Sequence, residues 1–164
     1  MMDEKFVNET SVKDKWATPQ GRFILEIKRA SGEVEHYVLE NLVVNQGKDY
    51  IARNTIGVST VNLNYIVVTD STASPDPNRT SMPVDTSGNL RAKLATKSVP
   101  SARTAQWQAT FDNSGGDNLT FPFGSIGICV NSDGTGLFAY AVRTPTITLG
   151  SNDSITITYQ WIIS

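Results

Sequence analysis

The chain has 164 residues and a formal net charge of -2, from 14 basic and 16 acidic side chains. This length suits one domain that buries its core without metal ions, and the single cysteine allows no internal disulfide. Charged residues make up only 18% of the chain and form no basic stripe of the kind that binds a phosphate backbone, so we expect no nucleic acid partner.

Residues 1–20 carry many charged side chains and few apolar ones, so we predict that they form an arm rather than part of a core. The domain is then predicted over residues 21–164. Large apolar side chains on a polar extension are costly to leave in water, which makes them candidates for a partner interface. For Trp16 the sequence leaves two possibilities open, burial against another chain and folding back onto its own domain. The candidate interface residues are Phe6, Val7, Val12 and Trp16.

Two alternating segments after the arm predict a β-hairpin. In residues 22–29 the side chains of Phe23, Leu25 and Ile27 share one face, and residues 34–39 alternate again after a short turn. This pattern is typical of half-buried antiparallel strands.

A short helix is predicted next, over residues 46–56. Asn45 is a suitable N-cap for it, and Asp49 would place negative charge in the first turn, where the helix dipole favours it. Gly57 can adopt the left-handed conformation that ends a helix.

The remaining chain predicts strands over residues 64–70, 90–96, 105–111, 125–130, 137–143 and 154–163. We expect the second and third of these to pair with each other. Residues 71–85 form a loop long enough to be a contact element. The predicted fold class is all-β: a single antiparallel β-sandwich or jelly-roll of about eight or nine strands, with one short helix and an extended N-terminal arm.

Residues that could support catalysis or bind a metal are sparse. Cys129 stands in an apolar alternating run and is predicted to be a buried, inert thiol. His36 lies on a predicted strand between Val34 and Val38, so we assign it to a sheet position rather than to catalysis. Residues 131–134 resemble the start of a calcium loop but lack its closing acidic residue, which favours a plain turn. We expect no cofactor and no metal.

Two further groups of side chains are compatible with a function in carbohydrate chemistry. Asp70, Asp76 and Asp85 lie in loops that can converge, and paired carboxylates hydrolyse glycosides, so a polysaccharide hydrolase is a third alternative. Trp107 and Trp161 can stack on sugars, but both fall on the apolar side of an alternating strand, where core packing is the ordinary explanation. We favour a protein that is not an enzyme.

Four segments, taken in order, resemble small virion proteins of tailed bacteriophages. A Pro-containing crossover at Thr144-Pro145 belongs to the same pattern, and the resemblance covers residues 20–164. The four segments are Glu40–Gly47, Ile126–Cys129, Gly136–Val142 and Asp153–Tyr159.

This resemblance implies a structural component of a bacteriophage virion. Together with the predicted arm, the low charge and the lack of a recognisable active site, it favours a capsid cement or decoration protein that stabilises the shell by contacts between subunits. We expect this subunit to be a homotrimer that binds the major capsid protein or other virion proteins. The alternative is a collar or tail fibre subunit in which the loop of residues 71–85 binds a host receptor or glycan. The sequence shows no secretion signal and no apolar run that could span a membrane, so we expect no membrane partner, assembly in the host cytoplasm and a place in the virion.

Overall fold

Two antiparallel β-sheets of five strands each pack face to face in the computed structural model of the chain, which describes residues 20–163. The predicted all-β sandwich with one helix is therefore confirmed. Its elements are β1 (Gln20–Lys28), β2 (Val34–Glu40), β3 (Leu42–Val43), α1 (Asn45–Thr55), β4 (Tyr65–Thr69), β5 (Leu90–Leu94), β6 (Thr96–Ser101), β7 (Thr104–Asp112), β8 (Phe123–Cys129), β9 (Leu137–Ile147) and β10 (Ser154–Ile162).

The central strand of the first sheet is β10, in the order β2-β1-β10-β7-β6. The predicted strand over residues 154–163 is confirmed, since Ile155, Ile157 and Tyr159 are fully buried and Trp161 is buried as well. Ile163, which continues the same alternation in the sequence, lies just past the strand and is 52% exposed. Ile157 lies directly opposite Leu25 of β1, and both side chains face the core. Strand β10 therefore pairs on both edges while it contributes one face to the core.

Aromatic rings fill the core around the second half of β10. The ring centroid of Tyr159 lies 4.8 Å from that of Phe23 and 5.8 Å from that of Trp107, both in tilted arrangements. The ring of Phe138, on β9, lies edge-on to Trp161 at 5.1 Å. Because β9 belongs to the second sheet, this aromatic group joins the two sheets.

The second sheet has the order β3-β9-β8-β4-β5, and its strand pairing differs from the prediction at one place. The predicted pair of residues 90–96 and 105–111 is wrong, because β5 pairs with β4 while β7 pairs with β10 and β6. The chain changes sheets at Ala95, which is buried and donates its N–H to the carbonyl of Asn64 at 2.8 Å. Strand β6 follows at once. It has no apolar alternation and contains Pro100, so no period of two marks it in the sequence.

The N-cap of helix α1 lies one residue before the predicted one. Val44, and not Asn45, occupies the N-cap position, with φ -73° and ψ 162° and no hydrogen bond from a capping side chain. Val44 is fully buried, and the N–H of Asn45 donates to the carbonyl of Pro77 at 2.8 Å, so a distant loop satisfies the helix terminus. Asp49 lies beyond the first turn. The predicted stop is confirmed, because Gly57 has φ 70°.

The Thr144-Pro145 pair lies inside β9 and not in a crossover, which corrects the prediction. Strand β9 pairs with β8 on both sides of this proline, and the register shifts between the pairs Phe123↔Ile147 and Ser125↔Val142. Proline cannot donate a ladder hydrogen bond, and an irregular register accommodates it without breaking the strand.

A polar cluster closes the end of the sandwich where β1 finishes and β10 starts. The Arg29 guanidinium donates to Glu35 at 2.6 Å and to Asp153 at 2.9 Å. Asp153 also accepts the backbone N–H groups of Ala30 at 2.8 Å and Gly150 at 2.7 Å. This polar cluster therefore ties the β1–β2 turn to the β9–β10 turn.

The first test concerns the close approach of α1 to β9. Gly47 is buried, and a Cβ added there would meet the carbonyl oxygen of Phe138. Alanine is the better helix former by about 1 kcal/mol, but the clash forces α1 away from β9, so we expect Gly47→Ala to lower the free energy of unfolding by about 1–3 kcal/mol. Urea unfolding measures the change. The exposed control Asp49→Ala should stay within about 0.5 kcal/mol of the parent, and a more stable Gly47→Ala protein would contradict the packing argument.

The second test concerns the pH dependence of stability. The pKa of Asp153 lies below its ordinary value, chiefly because its carboxylate accepts the Gly150 N–H. Burial acts in the opposite direction, but the Ala30 N–H and the Arg29 guanidinium lower the pKa further. A lowered folded-state pKa stabilises the fold above the unfolded pKa of about 3.9, and this stabilisation is lost as the pH falls through the folded pKa. Between pH 4 and pH 2 the free energy of unfolding should therefore fall less steeply in Asp153→Asn than in the parent. The two slopes should differ by up to about 1.4 kcal/mol per pH unit, the value for one bound proton. Identical pH slopes in urea unfolding would contradict this assignment.

Candidate interaction surface

The predicted partner-interface residues Phe6, Val7, Val12 and Trp16 lie outside the described residues, as does the predicted arm except for Gln20. The described chain enters the fold at the start of β1.

The three carboxylates considered for glycoside hydrolysis bind within their own loops. Asp70 accepts the N–H of Asp85 at 2.8 Å and that of Asn89 at 3.2 Å, together with the hydroxyl of Ser87. Partial burial opposes the ionisation of Asp70, but these hydrogen bonds outweigh it and hold the pKa of Asp70 below its ordinary value. Asp76 accepts the N–H of Asn78 at 2.9 Å, and Asp85 accepts that of Thr86 at 2.8 Å. Each carboxylate thus organises a turn.

The other residues considered for chemistry are Cys129, His36 and those of the turn over residues 131–134. Cys129 is fully buried, as predicted, and burial raises the pKa of its thiol well above the ordinary range, so the thiol stays protonated. His36 lies on β2 with its side chain 62% exposed and its Nδ1 3.9 Å from the Glu26 carboxylate. Asp133 accepts the N–H of Thr135 at 2.9 Å, which confirms the predicted turn over residues 131–134. Within residues 20–163, no three His, Cys, Asp or Glu side chains are grouped as metal ligands would be.

The loop of residues 71–85 covers the outer face of the second sheet. Its buried Met82 packs in a second apolar cluster with Val67 and Tyr140, separate from the core between the sheets. The loop backbone is held at several points, for example by the Thr69 hydroxyl on the Pro83 carbonyl at 2.5 Å and by the Met82 N–H on the Gly134 carbonyl at 2.9 Å. This loop is therefore a third layer of the fold, while the side chains of residues 72–78 stay exposed.

Two depressions lie side by side at the end of the sandwich opposite the polar cluster. One, of about 320 Å³, lies between α1, the loop of residues 61–63 and Trp107, and we name it the Trp107 pocket. The other, of about 660 Å³, lies between α1, β3 and the ends of β1, β2 and β10, and we name it the Trp161 groove. Ile51 and Trp161 line both, so the two depressions share a wall.

The polar groups that line the Trp107 pocket are already bound within the protein. The Trp107 indole N–H donates to the Leu63 carbonyl at 3.1 Å, and the Asn54 amide both donates to and accepts from the backbone of Val61. The Lys97 ammonium donates to the Asn64 side chain at 2.8 Å. The indole N–H therefore has no donor left for a ligand, while the Lys97 ammonium uses one of its three, and the apolar walls remain available for an apolar partner.

Large apolar side chains flank the Trp107 pocket and face solvent. Ile56 is 73% exposed and Val58 66% exposed, both just after the pocket residue Thr55, and Val99 is 74% exposed two residues after Lys97. We name Ile56, Val58 and Val99 the apolar rim. Sequence reasoning missed these residues, because an isolated apolar side chain at the end of a predicted helix or on an unmarked edge strand carries no periodic signal.

Comparison of the chain with protein-family models, with characterised proteins and with solved structures found no match. Within the described part of the chain, no helix has the length and apolar character needed to cross a bilayer.

The covering role of the loop can be tested at Met82. Truncating this buried side chain leaves a cavity between the loop and the second sheet, so we expect Met82→Ala to lower the free energy of unfolding by about 2–4 kcal/mol. Val84, two residues later and 48% exposed, supplies the matched control Val84→Ala, for which we expect a change within about 0.5 kcal/mol. Equal effects of the two substitutions in urea unfolding would show that the loop does not act as a packed layer.

Proposed function

We propose that the protein is a structural, non-enzymatic component of a bacteriophage virion, a capsid cement or decoration subunit that stabilises the shell by contacts between subunits. The observation that carries the proposal is the apolar rim beside the Trp107 pocket, where Ile56, Val58 and Val99 face solvent. Large apolar side chains that stay exposed next to the residues lining a pocket are candidates for burial in a protein interface. In the proposed assembly the subunit is a homotrimer and its N-terminal arm, with Phe6, Val7 and Val12, binds a neighbouring virion protein.

The construction of the domain supports an adhesive function. The outer face of the second sheet is covered by its own loop, and the polar cluster ties two turns together at the opposite end from the depressions. A domain braced in this way loses little conformational entropy on binding. A subunit present in many copies also gains avidity from several modest contacts, so it needs no single strong site.

The resemblance to small virion proteins supplies the class of partner. Its motifs lie on β8, β9 and β10 and at the passage from β2 through β3 into α1, so they belong to both sheets and to the start of the helix that ends just before Ile56. A collar or tail fibre subunit is the alternative and has the same support from the resemblance. The Trp107 indole N–H is already bound to the Leu63 carbonyl, which favours a protein partner over a saccharide at that position.

The proposal predicts the effect of a polar rim on particle binding. We expect Ile56→Ser with Val58→Ser to leave the unfolding transition in place and to weaken binding to purified particles at least about tenfold, since each buried aliphatic side chain contributes about 1–2 kcal/mol. Co-sedimentation of the purified chain with particles that lack it measures this. The matched control is Val34→Ser with Val84→Ser, at two positions that are 47% and 48% exposed and lie away from the rim.

Quantitative mass spectrometry of purified particles completes this test. On the order of hundreds of copies per particle supports a shell protein, whereas about a dozen or fewer supports the collar or tail alternative. Absence of the chain from intact particles, or equal binding by the rim variant and its control, would contradict the proposal.

A further inference from the structure

The Trp161 groove lies where the described part of the chain begins. Gly21 of β1 forms part of its wall, next to Ile162 at the end of β10. Trp16 precedes Gly21 by five residues, and because an extended chain advances at most about 3.6 Å per residue, the covalent connection alone keeps Trp16 within about 18 Å of the groove wall.

The walls of the groove have the chemistry of an indole site. The volume of about 660 Å³ falls within the roughly 300–1,000 Å³ of pockets that enclose organic ligands. Arg22, Glu40 and Lys48 also line the groove, so its walls carry charges of both signs. Residues 13–15, next to Trp16 in the sequence, carry charges of both signs as well, so opposite charges are available on the two segments. The apolar wall residues are Val38, Leu42, Val43, Ile51, Trp161 and Ile162.

The short connection favours the groove of the same chain over that of another copy. A short flexible connection gives an effective concentration in the millimolar range, far above the concentration of a second chain in dilute solution.

We propose that the Trp161 groove binds the indole of Trp16 from the same chain. This selects one of the two possibilities that the sequence leaves open for Trp16. It also covers Val38, which is 64% exposed although it lines the groove. Phe6, Val7 and Val12 then remain to contact a partner, and this last part of the inference rests on the proposed function.

Engineered cysteine pairs in the full chain test the docking directly. Ala17→Cys with Lys48→Cys places one thiol beside Trp16 and one on the groove wall, while the native Cys129 is buried and stays reduced. Under mild oxidation we expect an internal disulfide, seen as a monomer on a non-reducing gel and as the loss of two hydrogens by mass. The matched control pair is Ala17→Cys with Ser31→Cys. Ser31 lies in the turn after β1, and the length of that strand puts it about 23 Å from Gly21. This control disulfide should form about tenfold more slowly.

Two substitutions on one strand separate groove binding from general effects. Val38 and Val34 both lie on β2 with exposed side chains, but Val38 lines the groove and Val34 does not. In the Ala17→Cys, Lys48→Cys background, Val38→Glu should slow the internal disulfide about tenfold and Val34→Glu should not, because a carboxylate in the groove opposes burial of an indole. Tryptophan fluorescence gives a second readout. The emission that the parent has and Trp16→Phe lacks should be quenched only weakly by acrylamide, because a docked indole is shielded from the quencher.

A disulfide between two chains, equal rates for the Lys48 and Ser31 pairs, or equal effects of Val38→Glu and Val34→Glu would each overturn the proposal. All of these measurements use the isolated chain. Failure of the chain to bind particles would therefore contradict the proposed function and leave the docking of Trp16 unaffected.

Discussion

The pairing of β10 with β1 on one edge and β7 on the other holds the first sheet together. Without β10 this sheet would consist of two separate hairpins, β1–β2 and β6–β7. An isolated two-stranded hairpin is at best marginally stable in water. The same strand carries Tyr159 and Trp161 into the aromatic group that contacts β9 of the second sheet. Both the continuity of one sheet and its attachment to the other thus depend on the last strand described.

The two ends of the sandwich differ in chemistry, and this difference organises the surface. At one end Arg29, Glu35 and Asp153 form a hydrogen-bonded cluster that uses its charges internally. At the other end the Trp107 pocket and the Trp161 groove expose apolar walls, and the chain enters β1 beside them. A closed polar end and an open apolar end suit a subunit that is braced on one side and adheres on the other.

The loop of residues 71–85 explains why β8 is buried on both of its faces. Strand β8 is buried at all seven positions, because the first sheet covers one of its faces and the loop of residues 71–85 covers the other. Gly127 of β8 makes room for this loop, since a Cβ there would collide with the Met82 side chain. The loop that the sequence marks as a contact element is therefore mainly a structural layer that keeps a polar outer surface.

The sequence by itself determined the strands whose two faces differ. The period of two in β1, β7 and β10, the stop of α1 at Gly57 and the burial of Cys129 all follow from local pattern, because each depends on neighbours in the chain. Only the tertiary structure decided that β5 pairs with β4, that β6 is a strand and that Val44 caps α1. These features depend on groups distant in sequence, such as the Pro77 carbonyl that accepts the N–H of Asn45 at the helix terminus. The Trp107 pocket and the Trp161 groove arise in the same way, from elements that meet only in the folded chain.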